Sequence, residues 1–258
     1  MNRLRQTLVF FSGMLIIASA GPLQANEAKS GYEYIKPATR AMQDDDFENP
    51  GMLTVEQGRE LFNIKQGGAS KACAECHGGD GLEMDTKSIA RYPIYNEKQG
   101  GIVTLQKRIS NCRNNIGSKP LPTNHPELIA LETFVRNRAF GEAVNVQTDG
   151  PMAELLKKGE KIYQTRYGLI DMSCQHCHTF YPGQMIRGQK ISQGQGNGFP
   201  AYRLDIGEMT NLHQRIQQCL TSMRAEPFAD DSDEIKNLGA YLMSRSNGLK
   251  IETPAVRY

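Results

Sequence analysis

The chain has 258 residues, of which 22% are charged, and its 30 basic side chains outnumber its 28 acidic side chains by only two. A nearly neutral chain gives no support for nucleic-acid binding, which depends on a concentrated basic surface. The length suits two small domains. There is no tryptophan and only 7% of the residues are aromatic, so the side chains alone offer little bulk for two cores.

The first segment is typical of a secretory signal peptide. A basic tip with Arg3 and Arg5 precedes the apolar run TLVFFSGMLIIASA, and small residues follow. We place the cleavage near Ala25 and predict residues 1–25 as a signal peptide on an exported protein without a membrane span. A retained membrane anchor is the alternative, but the apolar run is short and interrupted by Ser and Gly. Removal of two arginines and no acid lowers the formal charge from +2 to 0.

The next half of the chain contains a helix, a cysteine motif, a long loop and two further helices. The predicted leading helix covers Thr54–Gln66, and the motif CAECH follows at residues 73–77. An irregular loop then leads to a short helix, LQKRISNC, which carries Cys112. The closing helix covers about Pro126–Arg138, where apolar residues recur at helical spacing.

The last half repeats this order of elements. The stretch GEAVNVQTDGP, residues 141–151, has no apolar period and ends in Gly-Pro, which predicts a linker. A second leading helix covers Met152–Arg166, and the motif CQHCH follows at residues 174–178. A short helix with the sequence LHQRIQQC carries Cys219, and a second closing helix covers Ser232–Ser244.

Both cysteine motifs have the spacing C-x-x-C-H, the signature of covalent haem c attachment. The motifs are Cys73-Ala-Glu-Cys76-His77 and Cys174-Gln-His-Cys177-His178. Two cysteines three residues apart lie on one side of a helical turn, where they form thioethers to the haem, and the adjacent histidine binds the iron. A disulfide or a zinc site would explain a lone C-x-x-C pair. Two complete motifs predict two covalently bound haem c groups, which would also fill the poorly aromatic cores.

The two halves are related by an internal duplication. The offset is 101 residues between Cys76 and Cys177 and becomes 107 residues further along the chain. Positions aligned at the second offset include Pro93/Pro200, Tyr95/Tyr202, Leu105/Leu212, Arg108/Arg215, Cys112/Cys219, Leu131/Leu238 and Arg138/Arg245. We predict a mostly α fold of two tandem cytochrome c-like domains, with residues 26–145 as the first and residues 146–258 as the second.

Cys112 and Cys219 lie outside the motifs but at aligned positions, one in each half. In a cytochrome c, the sixth iron ligand comes from the segment after the haem motif, and no methionine or histidine aligns between the two segments. A thiolate is a soft anionic donor that suits haem iron, so we predict the axial pairs His77/Cys112 and His178/Cys219. A Cys112–Cys219 disulfide, which an oxidising compartment favours, and two plain buried thiols are the alternatives.

An arginine precedes each of these cysteines by four residues, which is one helical turn on the same face. A guanidinium beside a thiolate lowers the pKa of the thiol and offers a fork for an oxyanion. For Arg215 the spacing leaves the oxyanion role and an ion pair with a haem propionate equally open. For Arg108 we favour the propionate or a surface position.

At this point the sequence resembles the SoxA family, the dihaem subunits of the SoxAX cytochrome complex of sulfur oxidation. The resemblance covers nearly the whole mature chain. It is carried by AMQDDDFENPGM, ISQGQGNGFPAYR, CLTSMRAEPF and ETPAVR, together with both haem motifs.

The resemblance implies a periplasmic enzyme, L-cysteine S-thiosulfotransferase. It would join thiosulfate to a cysteine of the carrier SoxYZ, with SoxX as its monohaem cytochrome partner, and pass two electrons to cytochrome c. By the same resemblance, Cys219 is the active-site cysteine, found in the family as a persulfide, and the axial ligand of the second haem. Arg215 would hold the thiosulfate oxyanion, and Cys112 would be the axial ligand of the first haem.

Two other functions compete with this prediction. A thiosulfate dehydrogenase also combines haem with cysteine but couples two thiosulfate ions to tetrathionate, whereas the MRAEPF and NGFPAYR stretches favour SoxA. A plain electron carrier would use methionine or histidine ligands and would have no use for Arg215.

Overall fold

The computed structural model describes residues 27–258, so the predicted signal peptide lies outside the described residues. Within them, helices dominate and strands are short. The helices are α1 (Pro37–Asp44), α2 (Met52–Asn63), α3 (Ala74–His77), α4 (Thr86–Ala90), α5 (Leu105–Asn115), α6 (Pro126–Asn137), α7 (Gly150–Gln164), α8 (Cys174–His178), α9 (Leu212–Ser222) and α10 (Asp233–Ser244). The strands are β1 (Ile94–Asn96), β2 (Gly101–Val103), β3 (Met185–Ile186), β4 (Gln189–Lys190), β5 (Ala201–Arg203), β6 (Glu208–Thr210) and β7 (Ala255–Arg257). In residues 27–258 we find no helix whose length and hydropathy would let it cross a membrane.

The first module is built on a helix pair. Helix α2 packs against α6, and Gly58 allows the close approach because a Cβ atom there would lie 2.1 Å from the carbonyl oxygen of Ala130. Phe62 and Phe134 pack beside this crossing with their ring centroids 5.2 Å apart. The predicted helices are therefore present, with bounds that differ by one to three residues from the sequence-based ones.

The second module repeats this crossing at the aligned positions. Helix α7 packs against α10, and a Cβ atom on Gly159 would lie 2.1 Å from the carbonyl oxygen of Asn237. Tyr163 and Tyr241 occupy the places of the two phenylalanines, with ring centroids 5.4 Å apart. The duplication predicted from sequence offsets is thus also a duplication of helix packing.

The strands form small sheets around the helical cores. In the first module β1 and β2 make an antiparallel pair in which Tyr95 faces Ile102. In the second module β5 pairs antiparallel with β6 and parallel with β7, so the C-terminal strand completes a three-stranded sheet. Strand β2 leads directly into α5, which carries Cys112 and is capped by Thr104, and strand β6 leads directly into α9, which carries Cys219 and is capped by Asn211.

Aligned residues from both modules line a shared cavity of about 60 Å³. The aligned pairs are Tyr92/Phe199, Thr104/Asn211, Leu105/Leu212, Gln106/His213, Glu132/Gly239 and Arg136/Met243. Gln106 donates from Nε2 to Glu132 Oε2 at 3.2 Å and to the carbonyl oxygen of Thr123 at 2.8 Å. The modules therefore face each other through equivalent surfaces, which is the arrangement of a two-fold related pair.

The chain before α2 and the segment after α6 both contact the second module. Gln43 Oε1 accepts a hydrogen bond from the backbone N–H of Val256, and Asn49 donates to the carbonyl oxygen of Pro254. The predicted linker is not a free tether, because Val144 and Val146 are buried and the segment hydrogen-bonds to residues 247–251.

Candidate functional site

The first cysteine motif forms the short helix α3, directly after the α2 helix. Burial raises the pKa of Cys73, the nearby Arg113 guanidinium opposes this, and the charge of the Cys112 thiol adds to the rise. The His77 ring lies 6.2 Å from the ring of Phe62, between centroids. Helix α5 therefore brings Cys112 to the haem motif of its own module.

The second motif forms α8, and its ends are fixed by side chains. The hydroxyl of Ser173 caps the helix and lies 2.7 Å from Nδ1 of His176. His178 Nδ1 lies 2.8 Å from the carbonyl oxygen of Ser192, which accepts the ring proton. This bond leaves Nε2 as the free ring nitrogen, which is the arrangement of a metal-binding histidine.

The electrostatics at His178 favour the same state. Burial lowers the pKa of His178, the hydrogen bond to Ser192 opposes this, and the charges of Arg215 and Arg245 lower it further. A neutral imidazole is the form that binds a metal. Gly194 packs against the ring, since a Cβ atom there would lie 2.9 Å from His178 Cγ.

Cys219 is half-buried on α9, and its charge reaches both cysteines of the second motif. Burial raises the pKa of Cys174 to about 12, and the charge of Cys219 adds to the rise; the same two causes raise the pKa of Cys177. Cys112 and Cys219 are not joined in a disulfide. Each of these two cysteines instead lies near the paired cysteines of its own module, since Cys112 acts on the pKa of Cys73, and Cys219 acts on the pKa of Cys174 and Cys177.

The surroundings of both motifs fit a haem c group. Its propionates are carboxylates that require cationic hydrogen-bond donors. Arg113 is 5% exposed, and its Nε and Nη1 atoms lack partners within residues 27–258. Arg245 has an unpartnered buried Nη1 in the same part of the chain, and its guanidinium lies 4.7 Å from the centroid of the Tyr163 ring. Buried guanidinium groups without partners are costly unless an anion joins them.

Arg215 and Arg108 differ although they align. The Arg215 side chain is half-buried and has no hydrogen bond or ion pair to any residue in the range 27–258, and its charge reaches both His178 and Arg203. Arg108 is exposed. The two aligned arginines therefore differ in burial, which their spacing in the sequence alone does not show.

Sequence reasoning did not single out several residues of this site. Ser192 and Gly194 lie in the glycine-rich stretch RGQKISQGQGNGFP. Between the haem-motif histidine and the end of this stretch, the second module has six more residues than the first, and we call this stretch the insertion. Arg203 ends β5 within the stretch NGFPAYR. Arg245 aligned with Arg138, and this was the available signal, because a cation repeated at equivalent positions indicates a group that both modules share.

Two modules, each with a helix crossing, a C-x-x-C-H turn and a facing thiol, define a tandem c-type cytochrome. Comparison with known proteins agrees: the family described as "SoxA/TsdA, cytochrome c domain" matches twice, over residues 57–144 and 158–251. The mostly α, duplicated cytochrome c fold is thereby confirmed.

The particular family follows from individual relatives. The SoxA subunit of L-cysteine S-thiosulfotransferase from Rhodovulum sulfidophilum is 37% identical, over 95% of this chain and 88% of the relative. The SoxA subunit from Pseudaminobacter salicylatoxidans is 36% identical, over 90% of this chain and 82% of the relative. The crystal structure of SoxXA from P. pantotrophus matches with a TM-score of 0.83 and 35% identity, covering 89% of this chain and 86% of that one. This chain belongs to the SoxA family of L-cysteine S-thiosulfotransferase subunits.

Proposed function

We propose that this protein is the catalytic SoxA subunit of a periplasmic SoxAX complex, with SoxX as its partner, and that it joins thiosulfate to a cysteine of SoxYZ. The observation that carries the proposal is the position of Cys219, whose charge reaches Cys174 of the second C-x-x-C-H motif, while the charge of Arg215 reaches His178 of the same motif. We also propose that two haem c groups are bound covalently, one by Cys73 and Cys76 and the other by Cys174 and Cys177.

His77 with Cys112, and His178 with Cys219, would hold the iron of the first and second haem. Each bound haem would accept one electron at a time. The two electrons could therefore be divided between the two haem groups of this chain, or between one of them and the SoxX haem, before cytochrome c receives them. The hydrogen bond from His178 to Ser192 fixes the ring orientation for this role. Arg113 and Arg245 would bind the propionates.

The chain's own residues account for substrate orientation. Thiosulfate has a nucleophilic outer sulfur and an anionic sulfonate, and the Arg215 guanidinium would hold the sulfonate so that the outer sulfur faces Cys219 Sγ. A sulfur–sulfur bond between Cys219 and thiosulfate then forms with the release of two electrons. The thiolate of the carrier cysteine attacks that outer sulfur next, and the Cys219 thiolate leaves. The net change is one new sulfur–sulfur bond on the carrier and two electrons released.

A matched pair of cysteine variants tests this function. Cys219→Ala should keep both haem groups attached, as intact mass shows, and should lose conjugation of thiosulfate to SoxYZ. Cys112→Ala is the aligned control and should keep conjugation. Full activity of Cys219→Ala would remove this residue from the mechanism. Intact mass of wild-type protein from the periplasmic fraction also tests cleavage near Ala25, the haem number and extra sulfur on Cys219.

The competing reaction is tested by leaving out the carrier. Wild-type protein with thiosulfate and ferric cytochrome c alone should produce no tetrathionate. Tetrathionate formed without SoxYZ would favour a thiosulfate dehydrogenase. Spectra of histidine/methionine-bound iron would favour a plain electron carrier.

A further inference from the structure

Arg203 is a buried cation that the proposed mechanism does not use. It ends strand β5, and its side chain is only 5% exposed. Nε lies 3.4 Å from Asp205 Oδ1 without an aligned hydrogen bond, and Nη2 has no partner at all within residues 27–258. Because Asp205 lies on the Nε side only, the open Nη2 donor of this buried guanidinium requires a further anion that residues 27–258 do not supply.

The charge of Arg203 interacts with the charges of two residues on α9, Arg215 and Cys219. Burial lowers the pKa of Arg203 to about 10, and the charge of Arg215 lowers it further, while Asp205 and then Cys219 oppose this. The order of elements in the chain accounts for this interaction. Strand β5 turns back as β6, and β6 leads directly into α9, which carries Arg215 in its first turn. Two guanidinium groups and one thiol therefore interact through their charges, and the strands and helix that carry them follow one another in the chain.

The first module has no such pair. The residue aligned with Arg203 is Asn96, which ends the equivalent strand β1, and the arginine aligned with Arg215 is the exposed Arg108. In contrast, Arg138 and Arg245 occur at the aligned place in both modules. A group that both modules bind fits the shared pair. A ligand bound only by the second module fits Arg203.

We propose that Arg203 and Arg215 together form a two-guanidinium site for the sulfonate of thiosulfate beside Cys219. Two adjacent positive charges repel each other, so a dianion between them offsets both their repulsion and their burial. The planar forks of two arginines also match the three oxygens of a sulfonate, which adds orientation to affinity. This inference rests on the proposed function and adds a substrate-binding residue to it. A haem propionate is the other oxyanion that Arg203 could bind, and the experiment separates the two.

Three variants of the haem-loaded SoxAX complex test the site. Arg203→Asn introduces the residue of the first module, Arg203→Lys keeps the charge without the fork, and Arg187→Gln removes an exposed arginine from the turn between β3 and β4 as a control. Thiosulfate binding is measured without carrier, by titration calorimetry. Circular dichroism and the haem spectrum check folding.

Arg203→Asn should weaken thiosulfate binding by about 10-fold to 100-fold, the loss that charged hydrogen bonds produce. KM for thiosulfate should rise with it, Arg203→Lys should fall between Asn and wild type, and Arg187→Gln should bind like wild type. Unchanged thiosulfate affinity in Arg203→Asn overturns the site. A shift in the potential of the second haem with unchanged thiosulfate affinity overturns it in favour of the propionate.

The same measurements distinguish this inference from the proposed function. If wild type conjugates thiosulfate and Arg203→Asn binds it equally well, only the role of Arg203 fails. If wild type binds thiosulfate but does not conjugate it to SoxYZ, the proposed function fails whatever the variant does.

Discussion

Nδ1 of His178 lies 2.8 Å from the carbonyl oxygen of Ser192, and this bond ties the haem-motif histidine to the insertion that distinguishes the second module. Ser192 is followed by Gln193, which hydrogen-bonds to the N-terminal segment through Lys29, and by Gly194, which packs on the histidine ring. The orientation of the proposed iron ligand therefore depends on a loop that is six residues longer than its counterpart in the first module.

Gly194 should be intolerant of a side chain. Its φ angle is +74°, and a Cβ atom would lie 2.9 Å from His178 Cγ. Gly194→Ala should displace the ring and change the absorption spectrum of bound haem. Gly188→Ala is the matched control, because its φ angle is +83° but nothing lies within 4 Å of the added carbon. Both variants carry the backbone cost of about 1 kcal/mol, and only Gly194→Ala should alter the spectrum. Identical spectra in both would contradict this view of the loop.

The glycines at the helix crossings should be required for folding. Gly159→Ala places a carbon 2.1 Å from the carbonyl oxygen of Asn237, so α7 and α10 must separate. We expect a loss of about 3 kcal/mol or more in the free energy of unfolding, measured by denaturant titration. Gly79→Ala has no atom within 4 Å of the added carbon and should cost little. Equal stability of the two variants would show that the helices can separate freely.

Arg245 should raise the reduction potential of haem in the second module. Its unpartnered Nη1 and its stacking on Tyr163 hold a positive charge in that core. Arg245→Gln removes a charge that favours the reduced iron, and the potential should fall on the order of tens of millivolts. Arg138→Gln is the aligned control and should lower the other potential. Potentiometric titration measures both, and an effect of Arg245→Gln on the first haem would contradict the assignment.

The inter-module cavity should make stability depend on pH through Glu132. Burial raises its pKa to about 7, and Arg136 opposes this. The folded state therefore binds more protons than the unfolded state near neutrality, so this carboxyl group loses its stabilising effect as pH rises. His213 lines the same cavity, and burial lowers its pKa to about 4, so it acts in the opposite direction.

Glu132→Gln isolates the carboxyl group because His213 and Arg136 remain in both proteins. Between about pH 6 and about pH 8, wild type should lose about 1 kcal/mol of unfolding free energy relative to the variant. Denaturant titrations at both pH values measure the difference. Parallel pH dependence in the two proteins would show that Glu132 titrates normally.

The features that occur in both modules could be predicted from the sequence, because each appears at aligned positions in the two halves. The offset of 107 located Cys112 and Cys219 and both closing helices, and apolar spacing located the helix interiors. Residues of the insertion were not predictable in this way. Ser192 and Gly194 lie where the offset changes from 101 to 107, so the repeat assigns them no definite counterpart, and a glycine-rich stretch carries no period from which a contact with His178 could be inferred.

Long-range backbone pairing was the other feature that sequence patterns could not predict. The linker has no apolar period, yet Val144 and Val146 are buried. Their burial could not be predicted from local patterns, because the residues that they contact lie about a hundred residues further along the chain. The burial of Arg203 was hidden for the same reason, since it depends on how β5 packs between β6 and β7.

The hydrogen bonds between residues 27–50 and the C-terminal end of the chain around β7 limit when the first of these segments can fold during synthesis. Gln43 and Asn49 emerge early during synthesis, but Pro254 and Val256, which they bind, emerge almost last. The segment 27–50 therefore cannot make these contacts until the last residues are synthesised, and a nascent chain that stops short of β7 leaves both this segment and strand β5 of the second module without their partners. A tag or a truncation at either terminus therefore disturbs the same contacts between residues 27–50 and the C-terminal segment.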